Sequence, residues 1–174
     1  MAFIEQNNNV ISFAEYQDVI DKDQRLFDNN EGLSESAIET ALIRTTERIL
    51  TKMRSSNWWI EYYIRRNNLT TYRTKADIPA LDINRIIARQ NDFTDLCVYM
   101  ALGDIIIPSV ADFGTNDNAE RNKMSYYVNK AENLFGELIS DGDWYDFDDD
   151  GVIESQEKSP GYYNLRRVRW EQRY

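Results

Sequence analysis

Core-type residues recur at three- and four-residue steps through Ile38, Leu42, Thr45, Ile49 and Met53, and that spacing commits this stretch of the 174-residue chain to an amphipathic helix. The opposite face is charged. The run begins near Ser34 or Ser36, either of which can cap it, and extends toward Ser55.

The same reasoning places the other elements. Ser12 and Glu15 have capping-box spacing, which predicts a short helix over about Phe13 to Ile20. Asn57 to Arg66 continues the helical pattern as a second, bent piece carrying Trp58, Trp59, Tyr62 and Tyr63, and Asn67 and Asn68 break it. Asp82 can cap a short helix with Ile83, Ile86 and Ile87. Asp92 can cap a longer one with Phe93, Leu96, Met100 and Ile105, which Pro108 should end. A last long helix is expected over Asn118 to Ile139, with Met124, Tyr127, Val128, Ala131, Leu134, Phe135 and Leu138 on one face. The expected fold is mainly α: a small helical bundle over residues 12–140, with an N-terminal arm at 1–11, an acidic EF-hand-like calcium loop at 141–159 and an extended C-terminal arm at 160–174. The first ten residues are polar and Asn-rich, so an extended or mobile arm is expected there rather than a core element.

A hydrophobic share of 42% is enough for one core, so general disorder is not expected. The aromatic share of 13%, with 11 Tyr, points to surfaces built for contact. No apolar run of about 20 residues is expected to cross a bilayer, and Met1 to Val10 has neither the basic flank nor the apolar stretch of a signal peptide. The expectation is a soluble protein working in a cytoplasm. Cys97 lies in the apolar pattern of Phe93, Leu96 and Met100, which reads as a buried structural thiol.

The net charge of -10 is concentrated in one place. Between Asp141 and Glu157 stand eight acids and no base, and the remainder of the chain sums to only -2. After Pro160 the sign reverses, with Arg166, Arg167, Arg169 and Arg173 set among Tyr162, Tyr163, Trp170 and Tyr174. Arginine and large aromatics are the residue types that dominate interface energetics, so these eight residues are the expected partner-binding set of a docking arm.

Within the acidic segment the order is specific. Calcium is a hard cation that takes six to eight oxygens, and an EF-hand loop supplies them at fixed positions over twelve residues. Here Asp146, Asp148 and Asp150 fill positions one, three and five, and Gly151 permits the sharp turn. Val152 offers its backbone carbonyl, Glu154 ligates directly or through water, and Glu157 gives the terminal bidentate carboxylate. Ile153 is the expected inward-facing apolar residue. These six ligands make calcium the expected cofactor, in a structural role. A solvated acidic loop would not place the glycine, isoleucine and terminal glutamate so regularly. Only one loop is present, and Pro160 and Gly161 leave room for an exit helix of about one turn, so a clip is expected rather than a sensor that opens a groove.

The layout resembles the head-to-tail adaptor, or head-completion, proteins of tailed bacteriophages. The resemblance rests on the Pro-interrupted apolar helix from Asp92 to Pro108, the late helix bearing Tyr126, Tyr127 and Ala131, the acidic phrase Asp146 to Glu157, and the terminal Leu165, Arg166 and Arg167. It implies a non-enzymatic protein that forms a homo-oligomeric ring, a dodecamer once assembled, under the portal protein at the neck of the virion, after assembly in the host bacterial cytoplasm. The C-terminal arm would reach the portal and the other face would receive a tail, stopper or tail-terminator protein. Double-stranded DNA would pass through the lumen without sequence-specific binding, and no membrane would be involved. Arg65, Arg66, Arg85 and Arg89 are then expected as solvated helix faces or inter-subunit ion-pair partners.

Two other classes stand beside this one. An intracellular calcium-binding regulatory or adaptor protein would present its aromatic cluster to a peptide, and it would stay monomeric or dimeric where the phage protein forms rings. An enzyme is not expected, because the chain has no His, which removes the commonest general base and the Ser-His and Cys-His nucleophile pairs. Carboxylate-only chemistry remains open in principle, but the acids are gathered in a loop whose spacing already has an explanation. No internal repeat and no Gly-rich phosphate loop is present.

Overall fold

A computed structural model describes residues 3–6, 9–24, 33–66, 78–111, 119–155 and 157–158. The protein is mainly helical, as the periodicity requires, and its chain divides into two compact units. Met1–Ile49 with Gln90–Phe135 form the first, and Leu50–Arg89 with Gly136–Tyr174 the second, a division that cuts across the 12–140 stretch.

In the first unit, strands β1 (Ile4–Gln6) and β2 (Asn9–Ser12) pair antiparallel, with a register shift between Ile4 and Glu5. The N-terminus is therefore not a free arm. Phe3 is buried, its ring 4.8 Å from Phe13 and 6.4 Å from Phe93, and this one apolar side chain outweighs the polar composition around it. Helix α1 (Tyr16–Lys22) starts three residues later than Ser12 suggests. The capping box is formed by Glu15 and Asp18, whose carboxylate accepts from the Glu15 N–H at 2.9 Å, while the Ser12 hydroxyl donates instead to the Ala14 carbonyl at 2.7 Å.

Helix α2 (Glu35–Arg54) matches its periodicity closely. Ile38, Leu42, Thr45, Ile49 and Met53 are all buried, and the Ser34 hydroxyl accepts from the Ala37 N–H at 3.3 Å to cap the start. Thr46 on the same helix accepts from the Phe13 N–H at 3.1 Å, and Thr94 donates to the Phe13 carbonyl at 2.8 Å, so two threonines satisfy a buried backbone that no strand or helix serves. Cys97 is fully buried beside Thr46 at 3.5 Å. Burial pushes its thiol up to about 12, against the smaller opposing effect of that hydroxyl, which keeps it protonated and inert.

Helix α4 (Gln90–Ala101) begins two residues before Asp92 and does not stop at Pro108. It passes into a π-helical turn (Leu102–Ile106) and then a short helix α5 (Ile107–Val110), with Pro108 in the first turn of that last piece. The wider turn lets the chain absorb a residue that cannot donate an N–H, and the helical run continues for 21 residues, Gln90–Val110. This run is long and apolar enough to cross a membrane by length and composition, contrary to the expectation above. Phe93, Leu96, Cys97, Val98, Leu102, Ile106 and Ile107 on it are buried within the protein, as a core helix requires. Two of its acids are in ion pairs, Asp95 with Lys22 at 2.9 Å and Asp104 with Arg48 at 2.8 Å.

Helix α6 (Ala119–Asp141) contributes residues 119–135 to this unit and the rest to the second. Tyr127 and Ala131 are buried, and Val128 packs over the π turn, where a Cβ on Gly103 would lie 2.9 Å from the Val128 Cγ2. Asp23, at the C-terminal end of α1, is buried between the Lys123 ammonium at 2.5 Å and the Tyr127 hydroxyl, which donates to it at 3.2 Å.

Two measurements check this packing. Gly103→Ala forces the Val128 side chain to move, and we expect a loss of about 1–3 kcal/mol in urea unfolding, the usual cost of overpacking. Lys123→Met leaves the Asp23 carboxylate with the Tyr127 hydroxyl but no cation, and a loss of about 1–3 kcal/mol is expected at neutral pH. Lys123→Arg should restore most of it.

Candidate metal centre

The second unit is built around an aromatic cluster. Helix α3 (Asn57–Arg66) is separate from α2, and it buries both Trp58 and Trp59. The Trp58 ring lies 4.6 Å from Trp144 and 5.3 Å from Phe147, and the Trp59 ring 5.4 Å from Tyr145 and 5.7 Å from Phe147. Tyr62 stacks on Phe147. Trp58 and Trp59 are core and Tyr62 is half-buried; the side chain of Tyr63 lies outside the described residues. Trp59 donates through its indole N–H to the Pro79 carbonyl at 2.9 Å, and the Arg54 Nε donates to the Ile78 carbonyl at 2.8 Å.

The chain reaches the acidic loop by a capped helix end. Gly142, at φ +59, takes the left-handed conformation that closes α6, its N–H donating to the Leu138 carbonyl at 3.1 Å. The same carbonyl accepts from the indole N–H of the fully buried Trp144 at 2.7 Å. Residues 142–147 then run beside the segment 82–89. Asp82 caps the 3-10 turn Ile83–Arg85, accepting from the Asn84 N–H at 3.0 Å, where a longer helix carrying Ile86 and Ile87 was expected. Ile86 forms an isolated antiparallel bridge with Tyr145, the Asp146 N–H donates to the Arg85 carbonyl at 2.9 Å, and the Tyr145 hydroxyl accepts from the Asp82 N–H at 3.2 Å.

The loop folds around two buried carboxylates. Asp146 accepts from the Asp149 N–H on one oxygen and the Gly151 N–H on the other, both at 2.7 Å. Glu157 accepts from the Phe147 N–H at 2.9 Å and the Glu154 N–H at 3.0 Å, tying the end of the loop to its start. Gly151 stands at φ +83, where a side chain would be strained, and Asp149 at φ +67, a region Asp tolerates better than most residues.

Asp146, Asp148 and Glu157 bring ligand oxygens within 4.8 Å of one another, so this group can hold a metal ion. Each carboxylate oxygen that accepts one N–H keeps a second lone pair for a cation. Of the other three expected ligands, the carboxylates of Asp150 and Glu154 are not in that group. Asp150 is exposed and accepts from the Val152 N–H at 2.8 Å, Val152 is 59% exposed, and Glu154 is exposed. Ile153 is half-buried rather than fully inward. The eight docking-arm residues Tyr162, Tyr163, Arg166, Arg167, Arg169, Trp170, Arg173 and Tyr174 lie outside the described residues.

Arg85 and Arg89 do not stand on solvated helix faces; both pair within the chain. Arg85 donates to the Phe147 carbonyl at 2.8 Å and pairs with Asp149 at 3.4 Å and, more loosely, with Asp82 at 3.9 Å. Arg89, itself at φ +54, pairs with Asp141 at 2.8 Å and Asp143 at 3.4 Å. Their signal in the sequence was two bases four residues apart in a chain whose acidic segment has none of its own. A turn, rather than a helix face, carries them to that segment.

Burial alone would raise the Asp146 carboxyl, but the N–H groups of Gly151, Asp149 and Asp150 and a hydrogen bond with Asp148 outweigh it and hold the pKa below its ordinary value. A carboxyl lowered in this way stabilises the fold fully above its unfolded value of about 4 and loses that contribution as pH falls through the lower folded value. Near-ultraviolet circular dichroism of the tryptophan cluster should therefore hold down to about pH 4 and decay below it. Asp146→Asn should lower stability at pH 7 and shrink this acid-dependent component; an unchanged acid transition would remove Asp146 as its source.

Comparison with protein-family models, with curated proteins and with solved structures finds no match for this chain.

Proposed function

We propose that this protein is a head-to-tail adaptor of a tailed bacteriophage, a non-catalytic component of the virion neck that joins a homo-oligomeric ring beneath the portal protein, and that its acidic loop is a calcium clip. The observation that carries this reading is the group Asp146, Asp148 and Glu157, backed by buried Tyr145 and Phe147 and standing immediately before the basic, aromatic segment 160–174. A cation there neutralises three crowded carboxylates and fixes the direction in which that segment leaves the unit. Calcium suits the group because its shell is large and flexible, whereas magnesium demands near-ideal octahedral geometry and keeps its waters. Asp150, the Val152 carbonyl and Glu154 would complete the shell on filling.

The packing favours a clip over a regulatory switch. Sensor EF-hands expose an apolar groove when helices on either side of the loop reorient, and here the adjoining aromatics are buried while Glu154 to Glu157 makes a single turn. In a ring, the arm would engage the portal, the opposite face would take a tail or stopper protein, and DNA would pass through the lumen without specific contacts.

Calorimetry tests the clip. We expect calcium uptake at submillimolar to millimolar concentration, weaker uptake of magnesium, and loss of at least tenfold in affinity for Glu157→Gln and Asp146→Ala. Uptake that is absent, or unchanged in both variants, overturns the assignment. Electron microscopy tests the adaptor reading. The purified chain mixed with its portal should form rings with many copies at the neck, and deletion of residues 161–174 should abolish attachment while leaving the circular dichroism spectrum of the chain intact. One or two copies per particle, or attachment that survives the deletion, would count against it.

A further inference from the structure

We draw no further inference here: the strongest candidate, the α6 surface around the exposed Tyr126, whose ring lies under the Lys130 ammonium at 5.7 Å, carries nothing because nothing in the structure shows what would cover it.

Discussion

Two carboxylates, Asp146 and Glu157, are buried with all four of their oxygens engaged by N–H groups of their own loop, and the shape of the second unit depends on that arrangement. A buried ionised carboxylate is tolerated only when donors surround it, because its desolvation costs several kcal/mol otherwise. Here the donors are backbone groups, and backbone groups converge on one carboxylate only if the chain turns tightly around it. The left-handed residues Asp149 and Gly151 make that turn. Tyr145 and Phe147, on either side of Asp146, are thereby directed into the cluster with Trp58 and Trp59, so a polar constraint in the loop and an apolar one in the core specify the same backbone path.

Much of this was legible in the sequence, for identifiable reasons. Helix α2 and helix α3 were readable because side-chain spacing records burial directly, and a long amphipathic stripe has few alternative interpretations. The grouping of Asp146, Asp148 and Glu157 was readable because metal ligation ties residue type to position. What misled were cues read one residue at a time. Ser12 has the chemistry of a cap, but a hydrogen-bonding hydroxyl serves a turn equally well, and Glu15 took the role. Pro108 has the chemistry of a terminator, but a π turn ahead of it placed its missing N–H where a new first turn needs none. Phe3 was hidden in a polar stretch, since a strand too short to show alternation gives no period to read.

The three carboxylates of the candidate centre were predicted together with the Val152 carbonyl and with two further carboxylates, Asp150 and Glu154, which are not in that group. The reason lies in the backbone. Asp150 accepts from the Val152 N–H two residues on, a local bond of the kind short acidic side chains favour in turns, and that bond competes with turning inward. Ligand spacing in sequence thus states which oxygens can converge; it does not state which local bonds compete with that convergence.

The placement of the two arginines bears on how such a loop tolerates its own charge. Eight acids with no base in seventeen positions would repel one another and favour an open chain. Arg85 pairs with Asp149 and Asp82, and Arg89 with Asp141 and Asp143, none of which belongs to the group Asp146, Asp148 and Glu157. Surface ion pairs of this kind contribute little singly, about 0–1 kcal/mol each, but Arg85 also donates to the Phe147 carbonyl and so fixes the backbone between the two buried carboxylates. Repulsion is reduced at the periphery of the loop while the central oxygens keep lone pairs free. A loop compensated at its centre would be full already. Among the described residues the ion pairs stand at the rim, an arrangement that leaves the central oxygens able to receive a cation, which is the property a calcium clip requires.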